Sequence, residues 1–295
     1  MPELPEVETV RQGLLPAMQG KKLVKLQLNR KNLRFNFDVD LVERLEQKIV
    51  IDIERRSKYL LMHFEDENQT SHNSQKETLI GHLGMSGKFT IHTHNEAKMR
   101  EHLKHDHVIF SLEDGTEVVY NDPRRFGFLL LAEPNDWQNH KLIKDIGPEP
   151  LTDDFDANYL AKQSAKKQGN IKNHLLNQKI VAGLGNIYVC EALFRAKLDP
   201  TLPASILANI NNKPTKACKT LVPIIKNILQ EAIEAGGSTL KDYRKADGDL
   251  GYIQHRFTTY SREGEPCVTQ NCKSKIARIV QSGRSTFYCP SCQKR

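Results

Sequence analysis

The sequence predicts an α+β protein in two parts, and three observations support this fold class. Before about residue 133, apolar and polar residues alternate along several short segments, as in half-buried strands. After residue 150, apolar residues recur every three to four positions, as on the buried face of a helix. Between these parts, residues 134–150 contain three prolines and no regular period, which is typical of a linker. A chain of 295 residues is long enough for two such domains.

The N-terminal part is predicted to begin with a helix. Pro5 suits the first helical position, and Glu6 and Glu8 suit the positive end of the helix dipole. Apolar residues recur at helical spacing until Gly20 ends the run, and they are Val7, Val10, Leu14 and Met18.

Short strands follow up to about residue 133. Alternating apolar residues mark them: Val24, Leu26 and Leu28; Ile49, Ile51 and Ile53; Val108, Phe110 and Leu112; Val118 and Tyr120. The turn Glu113-Asp114-Gly115 predicts a hairpin between the last two segments. Residues 65–78 are polar throughout, which predicts an exposed loop. Several short strands joined by turns favour an antiparallel sandwich or a barrel.

Helices are predicted to dominate the part after the linker. Residues 151–154 offer helix caps, and residues 171–198 indicate two helices separated by a glycine turn at 183–186. An apolar face runs from residue 221 to residue 235, where Gly236 ends it. Two helices around a glycine turn are a known DNA-binding unit, but such turns are common in other helical proteins too.

The last four cysteines have the spacing of a metal site. Cys267, Cys272, Cys289 and Cys292 follow the pattern C-x4-C-x16-C-x2-C. Two close pairs separated by a β-hairpin can place four thiolates tetrahedrally around Zn²⁺, and a segment this short needs such a bond because its apolar core is too small. The alternative is two unrelated thiol pairs. Gly283 marks the tip of the hairpin, and Arg284 lies on that tip.

The other two cysteines lack partners at ligand spacing. Cys190 and Cys218 lie within helical patterns, so we interpret them as core cysteines. Six cysteines in a long chain without a secretory signal favour reduced thiols or metal ligands over a disulfide framework.

The formal net charge of +7 is concentrated in two segments. Residues 157–190 contain no acid and five lysines, which are Lys162, Lys166, Lys167, Lys172 and Lys179. Residues 261–295 contain seven basic residues and two acidic ones. Two basic patches predict a polyanionic partner, namely nucleic acid, whereas the alternative is solvated helix faces and a basic tail. No stretch approaches the roughly 18 apolar residues of a membrane span, and the acidic N-terminus lacks the apolar region of a secretory signal.

The N-terminus offers a nucleophile. Removal of Met1 is expected before Pro2, and it exposes a secondary amine with a reference pKa near 8, so that a useful fraction is neutral at pH 7. Such an amine can attack an aldehyde-like sugar carbon and form a cationic iminium. Glu3 is the adjacent candidate for proton transfer. Because many proteins begin Met-Pro, the alternative is an ordinary trimmed terminus.

Several motifs resemble those of the bacterial formamidopyrimidine-DNA glycosylases, in family order and over nearly the whole chain. They are residues 1–10 (MPELPEVETV), 55–61 (RRSKYLL), 82–87 (HLGMSG), 104–107 (KHDH), 122–127 (DPRRFG), 147–151 (GPEPL), 183–188 (GLGNIY) and the terminal cysteine hairpin. Leu4 favours this branch over the related endonuclease VIII branch, which typically starts Met-Pro-Glu-Gly-Pro-Glu.

This resemblance implies four segments. They are an N-terminal antiparallel β-sandwich with flanking helices (1–133), a linker (134–150), a helical helix–two-turn–helix DNA-binding domain (151–260) and a zinc-finger β-hairpin (261–295). It also implies a bifunctional DNA glycosylase and AP lyase of base excision repair, which excises formamidopyrimidines and 8-oxoguanine and then cleaves the strand by β,δ-elimination. We expect a monomer in the bacterial cytoplasm, with one structural zinc ion and damaged double-stranded DNA as partner.

The resemblance also implies a role for individual residues. Pro2 corresponds to the nucleophile that forms the Schiff base, Glu3 to the acid that handles protons, Lys58 to the lysine of β-elimination, and Arg284 to the phosphate-gripping arginine linked to δ-elimination. Residues that fill the gap left by a flipped nucleotide correspond to Met85, Arg124 and Phe126. Phosphate contacts correspond to His105, Arg124, Lys167 and Asn186. Residues 237–251 correspond to the loop that covers the flipped base.

Ordinary structural roles are the alternatives for several of these residues. Lys58 is then a surface strand lysine, Met85 and Phe126 are core residues, and His105 belongs to a histidine patch with His102 and His107. Two departures from the family pattern are the C-x4-C spacing, where C-x2-C is usual, and the long segment 65–78. The competing functions are an oxidised-pyrimidine glycosylase of the endonuclease VIII type and a non-catalytic zinc-finger DNA-binding protein.

Overall fold

The computed structural model describes residues 2–67, 75–236 and 257–294. The described residues form an N-terminal unit, residues 2–144, and a C-terminal unit, residues 145–235 and 257–294. The division after Lys144 falls inside the predicted linker, and the four-segment division of the chain stays a prediction. No helix among the described residues is long and apolar enough to cross a membrane.

The N-terminal unit is an antiparallel sandwich with helices at its side. Its helices are α1 (Leu4–Met18), α2 (Leu41–Leu45) and α3 (His94–Met99), and its strands are β1 (Leu23–Leu28), β2 (Ile49–Arg56), β3 (Tyr59–Glu65), β4 (Glu77–His82), β5 (Lys88–His92), β6 (Asp106–Leu112), β7 (Glu117–Asn121) and β8 (Phe128–Leu131). Two separate sheets have the orders β1-β6-β7-β5 and β2-β3-β4-β8. Buried residues of α1 and of both sheets form one apolar core. The predicted sandwich is therefore confirmed, and the barrel alternative is wrong.

Helix α1 confirms the helix predicted at the N-terminus. Its apolar side chains Val10, Leu14 and Met18 are completely buried against the sheets. Burying each such side chain contributes roughly 1.5–3 kcal/mol, so this face holds the helix to the sandwich. The helix ends at Met18, and Gly20 follows its C-cap residue Gln19, as predicted, with a φ of 78° in the left-handed region that glycine adopts without strain.

Two strands depart from the predicted alternation because each contains one extra residue. In β1 the pairing register shifts between Leu23 and Lys25, and in β2 it shifts between Val50 and Asp52. The extra residue is apolar in both strands, so the buried positions change around it. Leu23, Leu26, Val50 and Ile53 are buried, Val24 is 37% exposed, and Ile51 is half-buried.

The prediction of an exposed loop over residues 65–78 is wrong at both ends. Strand β3 extends to Glu65, and β4 begins at Glu77. Glu77 is buried and accepts a hydrogen bond from Nε of Arg44 at 3.1 Å, so this acid is part of the sandwich. Residues 68–74 lie outside the described residues.

The C-terminal unit is helical and ends in a hairpin. Its elements are α4 (Ala157–Ser164), α5 (Ile171–Leu176), α6 (Asn186–Arg195), α7 (Lys216–Glu234), β9 (Ala277–Gln281) and β10 (Arg284–Tyr288). The helix pair and the hairpin were predicted, but three boundaries differ. Helix α4 is capped by Asp156, which accepts a 2.6 Å hydrogen bond from the backbone N–H of Tyr159, instead of by residues 151–154. Helix α5 is shorter than predicted, and α7 starts five residues earlier.

The two unpaired cysteines are core residues, as predicted. Cys190 lies in α6 and Cys218 in α7, and both side chains are buried. Burial raises the pKa of the Cys218 thiol to about 11, so this group stays protonated and unreactive at neutral pH.

Candidate active site and nucleic-acid interface

The predicted nucleophile lies directly before α1. Pro2 is buried, and Glu3 is the N-cap residue of the helix, with only 3% of its surface exposed. The backbone N–H of Glu3 donates a 2.8 Å hydrogen bond to Oε2 of Glu6, which is also buried. The positive end of a helix dipole stabilises negative charge, so carboxylates are favoured beside the proline. Sequence reasoning assigned Glu6 only to the helix start and missed its place beside Glu3.

Lys58 is not a surface strand lysine. It is the second residue of the two-residue turn between β2 and β3, in which Arg56 pairs with Tyr59. Ser57, the first turn residue, has a φ of 57°, and Lys58 is only 7% exposed. Burial, together with the positive charges of Lys58 and Arg34, lowers the pKa of His82 to about 4. The Lys58 ammonium therefore lies close to an imidazole that is neutral at pH 7.

The loop that carries Met85 is tied to the loop that carries Arg124 and Phe126. Asp122 is completely buried, and its carboxylate accepts hydrogen bonds from both loops. Its carboxylate receives the Ser86 hydroxyl at 2.6 Å, the backbone N–H of Gly127 at 2.9 Å and that of Arg124 at 3.2 Å. We call Asp122 with these donors the loop clamp. It fixes the backbone on both sides of the three predicted inserting residues.

Gly84 lets the two loops approach each other. Its φ is 60°, and a Cβ atom there would lie 2.3 Å from backbone atoms of Phe126 and Gly127. Any other residue would push the loops apart, because backbone atoms cannot move aside as a flexible side chain can. The close approach thus depends on this glycine.

The loop clamp has a measurable effect on stability. Replacing Asp122 with alanine is expected to lower the free energy of unfolding by about 3 kcal/mol, because buried donors of Ser86 and Gly127 lose their acceptor. Urea unfolding measures this loss, and Glu101→Ala, which removes an exposed acid of the same unit, should change little. A loss below about 1 kcal/mol in the Asp122 variant would mean that other contacts hold the loops.

The clamped loops form a cleft of about 590 Å³. Its lining residues are Arg34, His82, Gly84, Met85, Arg124, Arg125 and Phe126. Phe126 is 48% exposed, which contradicts its alternative role as a core residue, while Met85 is half-buried. The Arg124 guanidinium lies 5.0 Å from the centre of the Phe126 ring, a cation–π contact. Three arginines and an exposed aromatic ring suit a polyanion that carries stacking bases.

His105 lies at the edge of the loop clamp. Its side chain is half-buried, and its carbonyl oxygen accepts a 3.1 Å hydrogen bond from the backbone N–H of Asp122. His107 Nε2 lies 2.8 Å from the carbonyl oxygen of Asp122. The histidine-patch alternative gains no support, because the only cluster of three or more metal-ligating side chains in the described ranges is the cysteine group.

The helix pair of the C-terminal unit contacts the hairpin through Asn186. This residue begins α6, and its Nδ2 donates a 2.9 Å hydrogen bond to the carbonyl oxygen of Ser285 in β10. Its Oδ1 is buried and has no hydrogen-bond partner among the described residues. Lys167 follows α4 and is exposed. An exposed lysine and a helix N-terminus in one unit provide two elements that attract an anion.

Lys172 was counted in the predicted basic patch, but it is not on the surface. It is completely buried in α5, and its Nζ donates hydrogen bonds to Oγ1 of Thr286 at 2.7 Å and to the carbonyl oxygen of Ser285 at 3.2 Å. Lys179 forms a 3.0 Å ion pair with Asp145. The lysines of residues 157–190 therefore have two kinds of role. Lys162, Lys166 and Lys167 face solvent, whereas Lys172 joins α5 to the hairpin.

The four cysteines fit a zinc ion. All four Sγ atoms lie within 4.8 Å of one another, and the pairs Cys267–Cys292 and Cys272–Cys289 are 3.8 and 3.7 Å apart. A tetrahedron with Zn–S bonds of about 2.3 Å requires Sγ atoms about 3.8 Å apart. The longer C-x4-C loop is accommodated by a turn in which the Cys272 N–H donates to the Thr269 carbonyl oxygen at 3.0 Å. One structural zinc site is thus confirmed, and two unrelated thiol pairs are excluded.

Arg284 lies at the hairpin tip, as predicted. Gln281 pairs with Arg284 around the turn Ser282–Gly283, and both turn residues have positive φ, as in a type I′ turn. The Arg284 side chain is exposed. Nδ2 of Asn173 in α5 donates a 2.6 Å hydrogen bond to Oγ of Ser282, which holds the tip to the helix pair.

The N-terminal unit thus contains Pro2, Glu3, Lys58, Met85, His105, Arg124 and Phe126, and the C-terminal unit contains Lys167, Asn186, Arg284 and the cysteines. Sequence reasoning missed the role of Asp122. A signal was present, since Val118 and Tyr120 in β7 are buried and a residue two positions further along a strand lies on the same face.

Three family models match the chain. The formamidopyrimidine-DNA glycosylase N-terminal domain matches residues 1–129, the formamidopyrimidine-DNA glycosylase H2TH domain matches residues 146–244, and the zinc finger found in FPG and IleRS matches residues 264–295.

Relatives match over the full length of the chain. A protein of Bradyrhizobium sp. named formamidopyrimidine-DNA glycosylase is 48% identical and is covered completely, as is this chain. Two solved structures cover 100% of both chains at 34% identity. One is a mutant of Lactococcus lactis FPG with DNA that contains Fapy-dG, with a TM-score of 0.85, and the other is MutM with DNA that contains carbocyclic 8-oxo-G, with a TM-score of 0.84. With its three matched domains and its full-length relatives, this chain belongs to the formamidopyrimidine-DNA glycosylase family.

Proposed function

We propose that this protein is a bifunctional DNA glycosylase and AP lyase, which removes formamidopyrimidines and 8-oxoguanine from double-stranded DNA and then cleaves the strand. One observation carries the proposal: a single unit buries Pro2, Glu3 and Lys58, all at predicted catalytic positions. Burial of a carboxylate and an ammonium is costly. A DNA-binding protein without catalytic activity needs neither group, so the non-catalytic alternative leaves this cost unexplained.

Base removal begins at Pro2. The neutral secondary amine, exposed once Met1 is removed, attacks C1′ of the damaged deoxynucleotide, and the bond from C1′ to the base breaks with its electron pair going to the base. Glu3, at the start of α1, handles the protons of this step. Opening of the sugar ring then gives an iminium between the Pro2 nitrogen and C1′, which is necessarily cationic because the amine is secondary.

Strand cleavage follows from the positive charge of the iminium. The iminium withdraws electrons and makes a proton on C2′ acidic, so loss of this proton expels the 3′ phosphate in β-elimination. Lys58 is the residue assigned to this step. A second elimination expels the 5′ phosphate, and Arg284 at the hairpin tip binds phosphate for this δ-elimination.

The clamped loops serve the flipping of the damaged nucleotide. A base inside a duplex is out of reach of Pro2, so the nucleotide must leave the stack and the gap must be filled. Met85 supplies an apolar side chain for the gap, Phe126 supplies an aromatic wedge, and Arg124 supplies donors for the orphaned base. The cleft volume and the exposure of Phe126 support these roles.

The remaining assigned residues hold the phosphate backbone. His105 and Arg124 do so from the N-terminal unit, and Lys167 and Asn186 from the C-terminal unit. The buried Oδ1 of Asn186 accepts hydrogen bonds only, so the donors available to phosphate there are the backbone N–H at the start of α6 and the second N–H of Nδ2. Zn²⁺ closes the hairpin that presents Arg284 and supplies no reaction chemistry.

Borohydride trapping tests the proposal. Protein whose mass confirms removal of Met1 is mixed with a duplex that contains one 8-oxoguanine, and borohydride reduces the iminium to a stable amine. We expect a covalent adduct whose peptide map places the link at Pro2, together with cleaved DNA when borohydride is omitted. Undamaged duplex of the same sequence is the control and should give no adduct.

Absence of an adduct, with specific binding retained, would instead support the non-catalytic zinc-finger protein. Faster processing of an oxidised-pyrimidine duplex than of the 8-oxoguanine duplex would support the endonuclease VIII type of specificity. The proposed site of action is DNA in the bacterial cytoplasm, and the proposed active form is a monomer.

A further inference from the structure

The guanidinium of Arg55 contacts both α1 and the turn that carries Lys58. Nε of Arg55 donates a 3.0 Å hydrogen bond to Oε2 of Glu8 in α1, and Nη1 donates a 3.0 Å hydrogen bond to the carbonyl oxygen of Ser57. The side chains of Arg55 and Glu8 are only 10% and 14% exposed. Water therefore screens this ion pair less than a surface pair, and its geometry is correspondingly better defined.

The turn that Arg55 holds has a backbone conformation that serine adopts rarely. The φ of Ser57 is 57°, in the left-handed region, where a non-glycine residue is strained and persists only when its surroundings fix it. The hydrogen bond from Arg55 to the Ser57 carbonyl is such a constraint. Because Lys58 is the next residue, the backbone conformation of Ser57 sets the orientation of the Cα–Cβ bond of the lysine.

Glu8, which Arg55 contacts in α1, lies near the predicted nucleophile Pro2 in sequence and in structure. Glu8 belongs to the first turns of α1, and Pro2 and Glu3 directly precede this helix. A helix is rigid over such a length, so fixing Glu8 also fixes the helix start. Arg11 donates to Oε1 of the same carboxylate at 2.9 and 2.7 Å, and its Nη1 contacts the carbonyl oxygen of Ile53. Glu8 is thus held from two sides.

We infer that Arg55 is a positioning residue for Lys58, which sets the place of the lysine relative to the helix that carries Pro2. The inference rests on the proposed function, since it assumes that Lys58 acts in elimination. Arg55 acts through the Ser57–Lys58 turn and not on DNA. Loss of the Arg55 contacts therefore leaves Pro2 and Lys58 present but alters the backbone that leads to Lys58.

Single-turnover kinetics on a duplex with a preformed abasic site test the inference. Arg55→Ala should slow strand cleavage by about 10- to 100-fold, because small displacements of a reacting group have effects of this size. Borohydride trapping at Pro2 should fall much less. Arg11→Ala is the matched control: it also removes an ion-pair partner of Glu8 but leaves the turn contact, and it should change cleavage by no more than about twofold.

Two further variants separate positioning from a general effect on folding. Arg55→Ala should cause no further loss of cleavage in a Lys58→Ala background, because a residue that acts only through Lys58 has nothing left to position. Ser57→Gly should restore part of the cleavage rate of Arg55→Ala, since glycine adopts the positive φ without strain. Arg55→Lys, which keeps the positive charge, replaces Arg55→Ala in both tests if the alanine variant does not fold.

The outcomes distinguish failure of the inference from failure of the assigned role of Lys58. Multiplicative losses from Arg55→Ala and Lys58→Ala would overturn positioning through the lysine. Normal cleavage by Arg55→Ala beside defective cleavage by Lys58→Ala would overturn the inference alone. Normal cleavage by Lys58→Ala would show that Lys58 itself is wrongly assigned, and the inference would fail with it.

Discussion

Replacing Glu3 with glutamine is expected to slow release of 8-oxoguanine by about 10²- to 10⁴-fold, the usual contribution of a positioned acid or base. Glutamine has the same shape as glutamate but cannot transfer a proton. Glu3 is buried at the N-cap of α1, directly after the predicted nucleophile Pro2. Single-turnover kinetics with an 8-oxoguanine duplex, followed by separation of the free base, measure the effect.

The same variant should retain more activity on a preformed abasic site, because there is no base left to expel. Glu43→Gln removes an exposed acid from α2 and is the control for loss of one negative charge. Equal losses on damaged and abasic duplexes would indicate that Glu3 supports the position of Pro2 and not proton transfer. Circular dichroism should show an intact α1 in both variants.

Removal of zinc is expected to abolish specific DNA binding. Structural zinc sites contribute about 10–16 kcal/mol in zinc-finger peptides, so a hairpin without the ion unfolds. Strand β10 contacts the helix pair through Lys172 and Asn186, and the hairpin carries Arg284 at its tip. Unfolding of the hairpin therefore removes Arg284 and the two acceptors that β10 offers to the buried Lys172 ammonium. The affinity for a damaged duplex, measured by anisotropy, should fall at least about 100-fold.

Cys289→Ser tests the same site without a chelator and should contain less than one zinc ion per chain. Cys218→Ala is its matched control, because this buried cysteine lies in α7 and is no ligand. The control should keep one zinc ion and normal affinity. Unchanged binding by protein that has demonstrably lost its zinc would exclude the hairpin from DNA binding.

Elements with several agreeing local signals were predictable from the sequence. Helix α1 has a proline in its first turn, acidic residues near its start, an apolar face and a glycine at its end, and each signal depends only on neighbouring residues. The cysteine spacing and Gly283 likewise determine the hairpin and its tip. Periodicity was less reliable in β1 and β2, because an extra residue at a bulge carries no distinctive side chain when it is apolar, as Val24 and Ile51 are.

Contacts between distant residues could not be predicted. Lys172 has the composition of a surface charge, and its burial depends on acceptors more than one hundred residues further along the chain, at Ser285 and Thr286. Arg55 was part of a recognised motif, but its contact with Glu8 joins a strand to a helix. The sequence pattern of neither element indicates a contact with the other. The residues of the candidate site were assigned from their motifs and stay predictions, whereas the side chains that hold them in place could not be predicted.

The loop clamp has a consequence for how the three predicted inserting residues act together. Asp122 and Gly84 fix one backbone geometry for Met85, Arg124 and Phe126, so the ordering entropy of all three is lost during folding and not when DNA arrives. A substitution at either fixed position displaces the three side chains at once.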